Sequence, residues 1–134
     1  MSRSKQREKV FRLLFRVEFY PKEEFADQEA LFFQDEEQEQ MTEEESRAVT
    51  ETVEDIREKL ADIDSALSEH MKGWNLERIG KVELTILRLA VYEIRFVSEI
   101  PVSVSINEAV ELAKRYGQDE ASGFVNGVLA KFAD

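Results

Sequence analysis

The amino-terminal stretch holds the side chains of this sequence that could most directly bind a charged ligand. Residues 1–20 contain six Lys or Arg and two Glu, a charge of +4, whereas the other 114 residues contain 12 cations and 27 acids, a charge of −15. The six cations are Arg3, Lys5, Arg7, Lys9, Arg12 and Arg16. Because Lys and Arg neutralise phosphates and release their counterions, a cationic segment on a chain of net charge −11 predicts a confined site for a polyanion.

The spacing of these cations indicates that they share a helix face. The cationic stripe consists of Lys5, Lys9, Arg12 and Arg16, which step by 4, 3 and 4 positions. A second stripe is apolar and consists of Val10, Leu13, Leu14 and Val17. Phe15 and Phe19 flank the cationic stripe, and single-stranded RNA binds through phosphate contacts together with stacking on such rings. The residues alone leave RNA binding and an ordinary solvated helix face open. An anionic membrane surface is a third use of a basic amphipathic helix, but here the apolar stripe is needed for the core.

Catalytic and metal-binding chemistry finds little support in the sequence. His70 is the only histidine and cysteine is absent, so a Ser-His-Asp arrangement would depend on His70, and a disulfide or thiolate zinc site is excluded. Neither a glycine-rich phosphate loop nor a His-x-x-x-His pair occurs. With 29 acids in the chain, carboxylate pairs arise by coincidence. We therefore predict a binding protein that is not an enzyme and has no cofactor or metal.

The elements that position the cations are predicted to be helices in an all-α fold. The chain has 134 residues, of which 43% are apolar, which is enough for one domain with a buried core. Only two prolines and five glycines interrupt it, which favours long regular elements. No apolar run approaches the roughly 18 residues that a membrane span needs. The lack of cysteine fits a reducing cytosol.

Two main helices are predicted in the first half, the first of which carries the cations. The acidic segment 22–45 is predicted to be mostly a solvated linker, with a short helix anchored around residues 30–33. A helix over residues 43–71 follows, and Thr42 with Glu45 forms a capping box at its start. Its apolar residues recur every three or four positions, which fits either a long bundle helix or a coiled-coil seam.

Three further helices are predicted in the second half. Residues 82–97 are apolar on most faces, which places this helix in the middle of a bundle. Ser105 with Glu108 predicts a capping box for the next helix, and Gly117 predicts its end. Asp119 is expected to cap the last helix.

Four segments in this order are specific enough to suggest a family. They are REKVFRLLF (7–15), ILRLAVYEI (86–94), IPVSVSINEAVELAKRYG (100–117) and FVNGVL (124–129). Together they resemble the NusB family of bacterial transcription antitermination factors over nearly the whole chain. The resemblance implies an all-helical bundle of two small interlocked subdomains with six or seven helices. It implies one RNA-binding domain over residues 1–134, made of an N-terminal half (1–72) and a C-terminal half (73–134).

The resemblance implies a role in transcription. Members of this family bind boxA, a short single-stranded element of ribosomal RNA leader transcripts, together with NusE, a small-subunit ribosomal protein. The complex helps RNA polymerase pass terminators in the cytoplasm, and a homodimer is a further expected state. Two alternatives stay open: a helical protein–protein adaptor that has lost RNA binding, and a NusB-like RNA-recruiting domain linked to ribosomal RNA methylation. The second would need a methyltransferase domain after residue 134.

The resemblance also implies roles for individual residues. The phosphate-binding edge would consist of Arg3, Lys5, Arg7, Lys9 and Arg12. Phe124 matches an aromatic residue of a second RNA patch, although its place in the apolar set of the last helix fits a core role equally well. Phe15, where the family commonly has a tyrosine, and Glu83 would face NusE. Gly123 stands where relatives can carry a basic residue, and its presence could lower RNA affinity.

Two features of the second half leave alternatives open. Asn107 and Glu108 fit local bonding at a helix start better than a functional role. Asn126 and Gly127 lie in the middle of a predicted helix, where Gly costs about 1 kcal/mol relative to Ala. A close approach by another helix or by RNA would explain Gly127.

Overall fold

Seven α-helices and two short 3₁₀ turns lie in the part of the chain that the structure describes. A computed structural model describes residues 1–35, 41–73 and 75–133. The helices are α1 (Arg3–Val17), α2 (Phe25–Asp35), α3 (Glu43–Glu58), α4 (Leu60–His70), α5 (Lys81–Phe96), α6 (Val102–Tyr116) and α7 (Ala121–Ala130), and the turns are Lys22–Glu24 and Leu76–Arg78. These residues contain no strand, so the predicted all-α class is confirmed. None of the described helices combines the length and apolar content that crossing a bilayer requires.

The chain divides into two compact units, Met1–Arg57 and Glu58–Asp134, which we call the first and the second unit. Each has buried apolar side chains of its own. The single domain with halves 1–72 and 73–134, which the resemblance implies, stays a prediction.

The apolar stripe of α1 lies in the core of the first unit. Val10, Leu13, Leu14 and Val17 are all buried, as their spacing predicts. The helix begins after Ser2, whose hydroxyl oxygen accepts the backbone N–H of Lys5 at 3.1 Å and so satisfies a donor of the first turn. α2 packs against α1 and buries Phe32, which confirms the helix predicted around residues 30–33. The mostly solvated linker predicted for 22–45 is wrong for the described residues, because the turn Lys22–Glu24, α2 and the start of α3 cover nearly all of them. Residues 36–40 of the predicted linker lie outside the described residues.

The predicted continuous helix over residues 43–71 is wrong, because Lys59 interrupts it. With φ −98° and ψ 10°, Lys59 separates α3 from α4. The buried apolar residues on the two sides are Val49, Val53, Ile56, Ile63, Leu67 and Met71. Ile56 and Ile63 are seven positions apart, and the half-buried Leu60 lies between them, so the apolar spacing of three and four continues in the sequence although the helix is interrupted. A coiled-coil seam would have required one unbroken helix.

The start of α3 has the predicted capping box. The Thr42 hydroxyl oxygen accepts the Glu45 backbone N–H at 3.0 Å, and a Glu45 carboxylate oxygen accepts the Thr42 backbone N–H at 2.9 Å. Two donors that the helix itself cannot satisfy are thereby paired. The bond from the Thr42 backbone N–H also holds the pKa of Glu45 below its ordinary value, because it favours the charged carboxylate.

α5 is the central helix of the second unit and packs against α4, α6 and α7. As its apolar pattern predicts, side chains on most of its faces are buried: Leu84, Ile86, Leu87, Leu89, Ala90 and Val91. The Arg88 guanidinium donates to both carboxylate oxygens of Asp64 at 2.9 Å. This bidentate ion pair joins α5 to α4.

α6 begins earlier than its predicted capping box. Ser105 lies inside the helix with 1% of its surface exposed, and its hydroxyl donates to a Glu93 carboxylate oxygen of α5 at 2.7 Å. The capping box of Ser105 and Glu108 is therefore wrong, since Pro101 occupies the N-cap and Ser105 makes a cross-helix bond instead. Asn107 and Glu108 consequently lie in the second turn and do not cap the helix start.

The connection from α6 to α7 depends on a close approach at Gly117, which ends α6 as predicted. A Cβ atom there would lie 2.5 Å from the Cβ of Ala121 and 2.8 Å from the carbonyl oxygen of Ala113. Glycine therefore lets α7 start against the end of α6. The N-cap of α7 is Glu120, which makes no side-chain capping bond, so the cap predicted at Asp119 is wrong by one position.

Candidate nucleic-acid interface

The cations of α1 differ strongly in exposure. Arg3 and Lys5 in the first turn are exposed, and Arg12 is half-buried. Arg7 and Lys9 are buried, with 8% and 0% of their surfaces exposed. A side chain without exposed surface cannot meet a phosphate unless it moves. In this conformation Arg3 and Lys5 can make the phosphate contacts predicted for α1, and the half-buried Arg12 can do so in part.

The cationic stripe also contributes to the packing of the first unit. Arg16 donates from Nε to the Gln28 side-chain oxygen at 3.0 Å and from Nη1 to an Asp35 carboxylate oxygen at 3.2 Å. Arg16 therefore joins α1 to α2. Lys5, Arg7, Lys9 and Arg12 interact with other groups of the protein as well. The helical periodicity could not distinguish these roles, because the partners of Arg16 lie 12 and 19 positions away.

Phe15 lies in the middle of three aromatic rings along α1. Its ring stacks on Phe11 at a centroid distance of 6.1 Å and meets the ring of Phe19 edge-on at 5.1 Å. Phe11 is buried, Phe15 is half-buried, and Phe19 is 57% exposed. Part of the Phe15 ring is thus accessible from solvent, as a residue that contacts a partner must be.

A cavity of ≈ 710 Å³ in the second unit holds two of the predicted site residues. Phe124 at the start of α7 and Glu83 at the start of α5 both line it, together with Arg78 of the preceding 3₁₀ turn. Phe124 is half-buried, so it is neither a fully buried core residue nor a fully exposed surface residue. The family resemblance implies an RNA contact for Phe124, which fits a core role equally well, and a protein contact for Glu83. The packing of α5 and α7 brings both residues to one cavity.

Arg78 is a candidate site residue that sequence reasoning missed. It lies 46 positions before Phe124, and it belongs to none of the four segments that suggested the family. It is exposed and lines the same cavity. A guanidinium near an aromatic ring can pair with a phosphate while the ring stacks on a base. The only sequence signal was a lone cation in a turn, which has no specificity.

Glu83 is positioned by the start of α5. A Cβ atom on Gly80, the N-cap residue, would lie 3.1 Å from both carboxylate oxygens of Glu83. The carboxylate therefore folds back over the first turn of the helix, where the helix dipole favours negative charge. In this position Glu83 can accept hydrogen bonds from a cationic partner at the rim of the cavity.

The residues close to Phe124 on α7 include two exposed glycines, Gly123 and Gly127. Gly123, Asn126 and Gly127 are exposed, and in the described structure a Cβ atom on Gly123 or Gly127 would meet no atom within 4 Å. Close packing by another helix therefore does not explain Gly127. An approach by RNA is the alternative that stays open.

Comparisons with known proteins agree on one relationship. The NusB family model matches residues 4–134. The transcription antitermination protein NusB of Agathobacter rectalis is 53% identical over 133 residues, which cover 99% of this chain and 100% of that protein. The solved structure of T. maritima NusB has a TM-score of 0.81 at 34% identity and covers 99% of this chain and 91% of that one. The crystal structure of antitermination factors NusB and NusE in complex with dsRNA contains a chain with a TM-score of 0.78 at 26% identity, covering 99% of this chain and 98% of that one.

Proposed function

The chain belongs to the NusB family, and from that membership we propose that it is a transcription antitermination factor that binds boxA-type RNA of ribosomal RNA transcripts together with NusE. The observation that carries the proposal is the relationship to antitermination proteins over the whole length of the chain. The partners are the boxA RNA, the NusE protein and the antitermination complex of RNA polymerase. The protein acts in the cytoplasm by binding and catalyses no reaction.

The first turn of α1 is the proposed phosphate-binding edge. Arg3 and Lys5 are exposed there, and this turn contains no acid. Cations at a helix N-terminus oppose the helix dipole, so helix stability alone would favour acids at these positions. An arriving phosphate would be attracted both by the cations and by the helix N-terminus. Arg12 extends the edge, whereas Arg7 and Lys9 must leave their buried positions before they can contact RNA.

The cavity beside Phe124 is the proposed second RNA patch. A base would stack on the accessible part of the Phe124 ring. Arg78 is the one cation among the described residues that line the cavity, beside the acids Glu83, Asp119 and Glu120, so a phosphate would have to approach from the Arg78 side. The exposed glycines of α7 would let the RNA backbone come close to the helix. Phe15 and Glu83 are proposed to face NusE, and the Phe15 ring lacks the hydroxyl that relatives commonly offer at this position.

RNA binding is tested by titrating a fluorescent single-stranded boxA-type RNA with the protein, with and without NusE, at about 50 and about 200 mM salt. We expect affinity to rise with NusE and to fall with salt. A parallel titration with double-stranded RNA of the same sequence shows whether the protein prefers the single-stranded or the double-stranded form. Binding of NusE without any binding of RNA would favour the alternative of a protein-only helical adaptor.

Lys5→Ala is the variant that tests the phosphate-binding edge. Losing one phosphate contact on a single strand should lower the slope of log affinity against log salt by about 0.7. The matched control is Lys72→Ala, which removes an exposed lysine from the second unit. An equal change of slope in both variants would mean that the effect comes from net charge and not from the edge.

A further inference from the structure

We infer that the C-terminal end of α1 is a docking surface for a protein segment rich in arginine or lysine. The surface consists of the exposed residues Phe19 and Tyr20 and of three exposed acids next to them in the sequence, Glu18, Glu23 and Glu24. We call it the aromatic–acidic patch. It adjoins Phe15, which is proposed above to face NusE, because the Phe15 and Phe19 rings are in contact. The inference itself rests only on the exposure and charge of residues 18–24.

The two rings of the patch are exposed on a backbone that hydrogen bonds hold in place. Phe19 and Tyr20 expose 57% and 38% of their surfaces. The backbone N–H of Phe19 donates to the Arg16 carbonyl oxygen at 3.3 Å, and that of Tyr20 donates to the Val17 carbonyl oxygen at 3.2 Å. The Phe15 ring meets the Phe19 ring edge-on, with the ring centroids 5.1 Å apart. A large ring on a fixed backbone has only two side-chain torsions to lose on binding, and aromatic residues are enriched at protein interfaces.

The charge around the rings selects a cationic ligand. Residues 18–24 contain three acids and one cation, Lys22. Glu18 already interacts with the Arg57 guanidinium, so Glu23 and Glu24 contribute most of the attraction for a ligand. The last carbonyl groups of α1, which ends at Val17, add partial negative charge at the same place. Phosphate groups of a nucleic acid are repelled there, whereas Lys and Arg side chains are attracted.

The first unit already contains an instance of the same chemistry. The Arg57 guanidinium lies over the Phe25 ring, 3.3 Å from its centroid. Aromatic faces attract cations through their quadrupole, by about 0.5–1 kcal/mol at an exposed site. A basic protein segment could place an arginine over the ring of Phe19 or Tyr20. Its other cations would then pair with the acids of the patch.

α1 thus presents two surfaces of opposite preference. Arg3 and Lys5 lie at its start, and Phe19 and Tyr20 follow its end. At 1.5 Å per residue, the 15 residues of α1 separate the two surfaces by about 20 Å. A phosphate-rich ligand at the start and a basic protein segment at the end can therefore be bound together.

The test uses a short labelled peptide in which arginines alternate with serine and leucine, and a matched peptide with glutamine in place of arginine. Binding is followed by fluorescence anisotropy on the full chain at low and at high salt. The double variant F19S/Y20S should weaken the arginine peptide about 4- to 20-fold, since each ring contributes about 2- to 5-fold. Glu23→Gln with Glu24→Gln should weaken it as well, and the glutamine peptide should bind poorly.

Two controls keep the outcome decisive. Phe96→Ser removes another ring, 41% exposed and in the second unit, and should leave peptide binding unchanged. Thermal melting of F19S/Y20S shows whether the variant remains folded. Equal affinity of the wild type, F19S/Y20S and F96S for the arginine peptide would overturn the inference, because the attraction would then come from net charge alone. Loss of RNA binding in F19S/Y20S, with peptide binding retained, would assign the rings to RNA and also overturn it.

Discussion

Lys9 is the residue of α1 whose position differs most from what its type predicts. Lysine is almost never fully buried unless it is paired, because burial removes the hydration of its charge. Lys9 is 0% exposed, and it does interact with other groups of the protein. It therefore contributes to the first unit as an internal residue, while Lys5, one turn earlier on the same stripe, remains at the surface.

Phe124 is the residue at which a stacking role and a core role can be separated by experiment. If the ring stacks on a base, Phe124→Ala should reduce RNA affinity by about 1–3 kcal/mol. Phe124→Trp keeps an aromatic face and should retain most of the affinity. Thermal unfolding is measured alongside, since removing the ring could open a cavity. A large fall in melting temperature with unchanged RNA affinity would make Phe124 a structural residue only.

Among the elements, α5 and α6 are joined by a polar contact inside the core. Ser105 and Glu93 are 1% and 6% exposed, and the bond between them is 2.7 Å long. A buried hydrogen bond of this kind specifies which turn of α6 lies against α5, because sliding α6 by one turn would break it.

Ser105→Ala tests how much this contact stabilises the pairing of α5 with α6. Losing it should lower the free energy of unfolding by about 1–3 kcal/mol, because Glu93 loses a donor in a buried place. Ser103→Ala on the same helix changes an exposed serine and should cost less than about 0.5 kcal/mol. Urea unfolding of both variants gives the comparison. Equal stabilities of the two variants would show that the bond adds nothing to the folded state.

On the scale of the whole molecule, charge is strongly segregated along the chain. Residues 1–20 carry +4 and the remainder carries −15. The acidic remainder repels nucleic acid at long range, so RNA is attracted only where the local cations outweigh it. The same acidity favours basic protein partners, which fits a factor that is proposed to bind RNA and a protein together.

This segregation predicts a salt-dependent effect of acids far from the RNA edge in sequence. Asp62→Asn with Glu69→Gln removes two exposed acids of α4 and should raise RNA affinity at low ionic strength. The gain should vanish near 1 M salt, where the Debye length is about 3 Å. Titrations of the wild type and the double variant across a salt series make the comparison. A gain that persists at high salt would indicate a direct contact and contradict the long-range account.

The sequence by itself determined the helical class, the capping box of Thr42 and Glu45, the buried stripe of α1, the central position of α5 and the end of α6 at Gly117. All of these depend on local spacing and local backbone chemistry, which are complete in a short window of residues. The four family segments likewise predicted the relationship that the comparisons show, because they span the chain in a fixed order.

Only the tertiary structure decided which residues of a helix stripe are buried by another part of the chain. It buried Lys9 while leaving Lys5 exposed, paired Arg16 with α2, interrupted the helix at Lys59 and brought Glu83 and Phe124 to one cavity. Periodicity assigns a residue to a face of its own helix, but a face becomes core, surface or site only through the residues that pack against it. Those residues lie far away in the chain, so no local pattern could contain them.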